Sequence, residues 1–276
     1  MLATGVSIWK LKMPIDKYNK RVDAVNSLLC VGLDPDFDKL PEQFREKEFP
    51  QFEFNKWIIE QTAEFTSAYK PNIAFYEARG EKGIAELKMT MELLINDYPD
   101  IFTICDAKRA DIGNTNNGYA RFIFDYLGFD SITLHPYLGS EALKPFLDRK
   151  DRGSIILCRT SNSGAGEFQD LEIDGKTIWE IVADKVANQW NANNNCMLVV
   201  GATYPDEMKR VRAIAPNITL LVPGVGAQGG DVGDAVKSGL DSSGHGLMIN
   251  SARGIIFSEN PAESAKALRD EVNSYR

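Results

Sequence analysis

The stretch "IFTICDAKRADIGNT", residues 101–115, begins as a short apolar run and turns at once into alternating charges: Asp106, Lys108, Arg109 and Asp111. Ile101 to Cys105 has the composition of a buried strand, and an unpaired charge is not tolerated in an apolar interior. The charges must therefore reach solvent or meet one another in a pocket. What the other apolar runs do at their ends decides between these.

Seven further runs rich in Val, Ile and Leu occur: "SLLCVGLD" (27–34), "TSAYKPNIAF" (66–75), "SITLHPY" (131–137), "SIILCRT" (154–160), "CMLVVGAT" (196–203), "ITLLVPGV" (218–225) and "GLMINSAR" (246–253). Between them lie stretches with helical spacing at 54–65, 81–97, 115–127, 175–190 and 261–275. In the second of these, Ile84, Leu87, Met91, Leu94 and Ile95 recur at three- and four-residue steps and mark one apolar face. Continuous apolar strands alternating with helices predict a parallel sheet covered by helices, and eight such units predict a closed (β/α)8 TIM barrel. A doubly wound open sheet is the competing arrangement. Against it, polar residues end different strands: Asp34, Lys70, Asp106 with Lys108, Thr160 with Ser161, Thr203, Gly224 with Gly226, and Arg253. In a barrel these ends share one mouth. The expectation is a single α/β barrel domain over residues 1–276, with 1–26 as a helical extension at its bottom.

The chain has 276 residues, 43% hydrophobic and 25% charged, with a net charge of −8, so it can bury a large core and offers no general nucleic-acid or membrane surface. An anionic ligand would need a local basic pocket. The N-terminal stretch lacks the apolar core of a signal peptide, and no segment reaches the ~20 apolar residues of a membrane helix, which points to a cytoplasmic protein. Cys30, Cys105, Cys158 and Cys196 lie in or beside apolar runs without paired spacing and read as buried free thiols. Two polar segments, 35–53 and 161–174, are long for loops and suit binding loops or lids.

On a strand, residues two apart share a side, so Asp106 and Lys108 would both face the mouth, whereas Asp111 lies on the following loop. A lysine between carboxylates is held as ammonium, because an opposite charge at ~4 Å contributes roughly 4 kcal/mol at an effective dielectric near 20. Such a lysine suits stabilising and protonating a carbanion better than forming a Schiff base. Taken alone, this charge string also fits a surface ion-pair cluster. A second cluster, "VPGVGAQGGD" (222–231) followed by "NSARG" (250–254), sits after the seventh and eighth runs, where barrels bind phosphate through glycine-rich backbone. Gln228 offers an amide and Arg253 a two-pronged donor. His135, at the end of the fourth run, and His245, before the last, read as structural histidines, and Tyr204, Trp9, Trp57, Trp179 and Trp190 as packing residues.

"DAKRADIGNT" resembles the D-x-K-x-x-D-I-x-x-T signature of the orotidine 5′-phosphate decarboxylase family, and "VPGVGAQGGD" with "NSARG" resembles its phosphate-binding segments. "GLDPD" (32–36), "YKPNIAFYE" (69–77) and "RTSNSGAG" (159–166) extend the resemblance along the chain, and the longer 35–53 and 161–174 resemble a bacterial branch. The resemblance implies that Asp34 and Lys70 meet the ribose and that Lys70, Asp106, Lys108 and Asp111 form a charged tetrad. It implies that Asp111 and Thr115 reach the neighbouring subunit's site in a homodimer. Ser161 would bond the pyrimidine with Pro223 nearby, Gln228 and Arg253, with Gly254 beside it, would hold the phosphate, and no metal or organic cofactor is needed. Conversion of orotidine 5′-monophosphate (OMP) to UMP and CO2 in pyrimidine biosynthesis is the activity implied. The alternatives are a sugar-phosphate decarboxylase or epimerase on a related barrel, a Schiff-base aldolase, and an inactive nucleotide-binding homologue.

Overall fold

The computed structural model describes residues 13–226 and 229–276. All eight apolar runs form strands: Leu29–Leu33, Ala68–Pro71, Phe102–Arg109, Ser131–Leu134, Gly153–Arg159, Cys196–Val200, Leu220–Pro223 and Leu247–Ser251. Each pairs in parallel with its sequence neighbours, and the eighth pairs with the first, with Leu29 opposite Ile249, so the sheet closes into a barrel. Closure leaves no strand edge exposed in the barrel and brings every strand's carboxyl end to one rim. The open-sheet alternative is thereby excluded.

The second run shortens most on folding. Only Ala68–Pro71 is strand, and Ala74–Glu77 is already helical. Pro71 lacks the N–H that would extend the ladder. All five helical stretches read from spacing are present, although 115–127 and 175–190 finish in wider π-type turns over Arg121–Leu127 and Val186–Trp190. Three more helices, Gly139–Leu147, Pro205–Ile214 and Val232–Gly239, had no clear periodic signal. The first carries Pro145 within it, the second is charge-rich and buries only Met208 and Val211, and the third is eight residues long. They hold because the strands beside them need covering. Segment 35–53 is not plain loop either: Glu42–Arg45 is helical, and a longer helix starts at Pro50.

A helix over Pro14–Val25 lies across the strands' amino ends. Tyr18 is fully buried there and donates to the carbonyls of Leu28 and Leu247, while Arg21 donates to the Thr66 and Ala63 carbonyls. Lys17 pairs with Asp130 at 2.7 Å. His245 also lies near this end, 2.8 Å from Asp23, outside the mouth.

At the other rim, the buried Glu86 carboxylate accepts from the N–H groups of Gln51 and Phe52 in the first turn of the Pro50–Thr62 helix. That is where a helix most favours negative charge. The Gln51 side chain then donates to the Pro35 and Phe75 carbonyls, tying together the loops that follow the first two strands. Arg79 pairs with Glu86 and lies over the Phe37 ring at 4.5 Å, fastening the same corner. Gly83 lets this packing happen, since a β-carbon there would stand 2.0 Å from the Tyr76 carbonyl oxygen. Gly83→Ala should therefore destabilise the fold by about 3 kcal/mol through overpacking against backbone, read as a lowered urea midpoint at unchanged slope.

Candidate active site

A cavity of about 580 Å³ opens at the carboxyl rim, and all eight strands or the residues just beyond them reach it. Its charged floor is continuous. Lys70 Nζ lies 2.9 Å from Asp106 Oδ2, and Lys108 Nζ lies 2.6 Å from Asp106 Oδ1, so one carboxylate bridges two ammonium groups. The two partners in the wall are nearly enclosed, with side-chain exposures of 5% for Lys70 and 10% for Asp106, whereas Lys108 keeps 50% of its side chain open towards the cavity and solvent. The bridging carboxylate is thus fixed, and the second ammonium remains accessible.

Electrostatics in this floor are dominated by burial and by the answer to it. Burial alone would raise the Asp106 carboxyl, but Lys70 and Lys108 overcome that and hold it well below the usual carboxylate range. For Lys70, burial favours the neutral amine, yet Asp106 and Asp34 outweigh it and lift the ammonium above the usual lysine range. Asp34 moves the other way: burial raises its carboxyl, against the pull of Lys70. One Asp34 oxygen accepts from the Asn72 N–H at 3.2 Å, which aims it across the first two strands.

Alternation along a strand is not what brings Lys108 to the mouth. Cys105 pairs with Ile132 and Arg109 pairs with Leu134, so residues 106–108 stand opposite the single residue Thr133. This bulge puts Lys108 at φ +47°, a left-handed conformation that costs a residue with a side chain of order 1 kcal/mol. Asp106 and Lys108 share the cavity, as the two-residue spacing predicts, but through a bulge rather than a regular pleat.

Asp34, Lys70, Asp106, Lys108, Ser161, Pro223 and Arg253 all line the cavity, as expected from sequence. Asp111 and Thr115 do not. Asp111 accepts from the Ile112 N–H, and its own N–H donates to Asn116, while Thr115 borders a separate groove with Glu77 and Arg109. Gly254 follows Arg253 in the short helix Arg253–Ile256 and is not in the wall; Gln228 and Trp9 lie outside the described residues. Gly224 and Gly226, at φ +98° and +65°, begin the turn after the seventh strand, and Gly224 lines the cavity. The Arg253 guanidinium, in the same cavity, makes no ion pair or hydrogen bond with the described residues and is available to an anion.

Several wall residues had not been singled out from sequence. Gln169, from the 161–174 segment, accepts from the Thr160 N–H at 2.9 Å and donates back to its hydroxyl at 2.8 Å. Arg159, which is not itself in the wall, anchors the same segment through Asp170 and lies over the Tyr204 ring at 3.9 Å. Lys39, paired with Asp36, and Asn250 also line the cavity. Gln169 and Lys39 lie between strands, where polar residues carry no periodic signal, so only the fold could gather them. His135 lies outside the wall, with its ring Nε2 3.0 Å from the Ala110 carbonyl. All four cysteines are free and buried, and burial pushes the Cys30, Cys158 and Cys196 thiols up to about 12, which keeps them unreactive.

The arrangement is a buried acid between two lysines, sharing one cavity with a glycine turn and an arginine that has no side-chain partner among the described residues. The model of the orotidine 5′-phosphate decarboxylase / HUMPS family matches residues 27–268. The chain belongs to that family. It is 44% identical over 264 residues to the orotidine 5′-phosphate decarboxylase of Cellvibrio japonicus, covering 95% of this chain and 96% of that protein. It is also 44% identical over 273 residues to the enzyme of that name from Dehalococcoides mccartyi, covering 95% and 98%. Among solved structures, the OMP decarboxylase of Leishmania donovani superposes with a TM-score of 0.86 at 38% identity, covering 96% of this chain and 99% of that one.

Removing the bridging carboxylate should be costly, because Lys70 would stay buried with only Asp34 to answer it. Asp106→Asn is expected to lose about 3–5 kcal/mol in urea unfolding at pH 7. The folded pKa of Asp106 lies below its unfolded value near ~3.9, so its contribution is complete above that pH and is lost as pH falls through the folded value. The gap between wild type and variant should accordingly narrow only on the acid side.

Proposed function

We propose that this cavity binds orotidine 5′-monophosphate with its phosphate at Arg253 and the turn after the seventh strand, and its pyrimidine over the Lys70–Asp106–Lys108 floor. The observation that carries the reading is the accessible Lys108 ammonium bonded to a buried, ionised Asp106. In the reaction the C6–carboxylate bond breaks, CO2 leaves, and the electron pair stays on C6. Lys108 delivers a proton from Nζ to C6, giving UMP, and recovers it from solvent. The ammonium stabilises the charge as it develops, and a fixed dipole or ion acts best when it needs no reorganisation at that moment. Asp106 orients Lys108 and disfavours the bound carboxylate, so the state after CO2 departs is relatively favoured. Asp34 and Lys70 suit the ribose hydroxyls, Ser161 and Pro223 the base, and Gln228 with Gly254 the phosphate neighbourhood.

A sugar-phosphate enzyme that relies on a divalent cation fits this floor poorly, because two ammonium groups already occupy the coordination space around Asp106. An inactive homologue has no support from the charged floor, which keeps both lysines and the bridging acid.

Asp111 and Thr115 belong to the proposal as contributions to a second copy's site in a homodimer. Support comes from their place outside the cavity, beside Ile112, which is 64% exposed. The neighbouring loop adds the exposed Tyr137 and Leu138, and Asn116 ties the helix after the third strand to the helix Gly139–Leu147 by donating to the Ala142 carbonyl. An apolar surface of this kind is suited to self-association. A cytoplasmic setting is part of the same proposal; no helix among the described residues is long and apolar enough to cross a membrane.

Loss of ultraviolet absorbance from OMP, followed with and without chelator, tests the reading directly. Turnover should survive the chelator, and Lys108→Ala should reduce it by at least about 10³-fold. Activity that disappears with chelator, or trapping of a substrate adduct by borohydride, would sink it. Arg253→Ala should weaken UMP binding roughly 10- to 100-fold while leaving uridine binding unaltered. Mixing Lys108→Ala with Asp111→Ala should restore about a quarter of wild-type activity through mixed dimers if sites are shared, and none if they are self-contained.

A further inference from the structure

Thr133 was not expected to take part, yet its hydroxyl makes three hydrogen bonds in the floor, as many as the Asp106 carboxylate. A hydroxyl has one proton and two lone pairs. Both lone pairs are taken: Ala107 N–H donates to Oγ1 at 3.0 Å and Lys108 N–H at 2.9 Å. The single proton is then directed to Asp106 Oδ1, 2.9 Å away. That same carboxylate oxygen receives the Lys108 ammonium at 2.6 Å. No other hydrogen-bond assignment satisfies all four contacts.

Two consequences follow from this one hydroxyl. The bulge leaves successive backbone N–H groups of the third strand without ladder partners on the fourth, and Thr133 accepts both, which steadies the left-handed Lys108 backbone. In addition, an oxygen accepting from a hydroxyl and an ammonium at once has no room for a proton of its own, so the contact requires Asp106 to be ionised on that side. We infer that Thr133 is a positioning residue of the proposed reaction, holding the Asp106–Lys108 pair in one geometry by locking both the strand bulge and the carboxylate. Thr133 is only 1% exposed and also lines the cavity wall, so it touches the pair from within the barrel. This inference rests on the decarboxylase reading of the site.

The test separates the hydroxyl from the bulk around it. Thr133→Ser keeps the hydroxyl, Thr133→Val keeps the shape, and Thr133→Ala differs from the serine variant by the oxygen alone. For each, kcat and KM with OMP and the affinity for UMP by calorimetry would be measured. The valine and alanine variants should lose on the order of 10- to 100-fold in kcat, with UMP affinity changed less than about threefold, since the misplaced group acts on the reacting carbon. The serine variant should retain kcat within about threefold. Should the valine variant fail to fold, the serine–alanine pair still decides. Equal kcat in the serine and alanine variants, or a loss confined to KM, overturns the inference alone; a wild-type protein without OMP turnover overturns the reading of the site and this inference with it.

Discussion

A buried ammonium group needs an ionised partner, and in this molecule the carboxylate in direct contact is Asp106, with Asp34 adding to it. Lys70 sits almost wholly inside the barrel, and Asp106 faces it at 2.9 Å while its other oxygen reaches outward to Lys108. Each of the two offsets much of the other's cost of burial, with Asp34 adding to the support of Lys70 and Lys108 to that of Asp106. Their pairing therefore makes the second and third strands interdependent. It also gives the accessible Lys108 a fixed counter-ion, so a group that would otherwise sample many rotamers stands in one place.

Around that pair the barrel acts as a frame for two unlike halves of one cavity. The floor is charged and rigid, made by strands whose side chains are locked by ion pairs and by Thr133. The opposite wall is made by glycine-rich backbone and by Arg253, which has no protein partner among the described residues. A ligand with a charged tail and a flat polar ring matches this division. Gln169 and the Gln51–Glu86–Arg79 corner fasten the rim segments that follow the strands.

The strain at Lys108 belongs to the same economy of structure. Strands normally alternate their side chains, and a regular third strand would have paired Ala107 with the fourth instead of leaving its N–H to a side-chain oxygen. The distortion is sustained because the ladder resumes at Arg109, opposite Leu134, and because His135 donates its backbone N–H to the Arg109 carbonyl. Non-glycine residues held in left-handed conformations gather at functional sites for this reason: the surrounding structure fixes them where their side chains are needed.

Apolar runs that fold into strands of four to eight residues, most of them ending in polar, charged or glycine-bearing turns, were enough to specify the eight strands and the shared rim, because burial on both faces leaves its mark in composition. The same logic made Asp34, Lys70, Asp106, Lys108, Ser161, Pro223 and Arg253 legible, since each sits at or just beyond a strand's end. The helices at 139–147, 205–214 and 232–239 were not legible, because covering the barrel matters more to them than their own periodicity. Thr133, Gln169 and the bulge at Lys108 were decided only by the tertiary structure. A hydroxyl's partners, a strand's register and the direction of a loop carboxylate such as Asp111 depend on chain segments distant in sequence, and no local pattern records where those segments will meet.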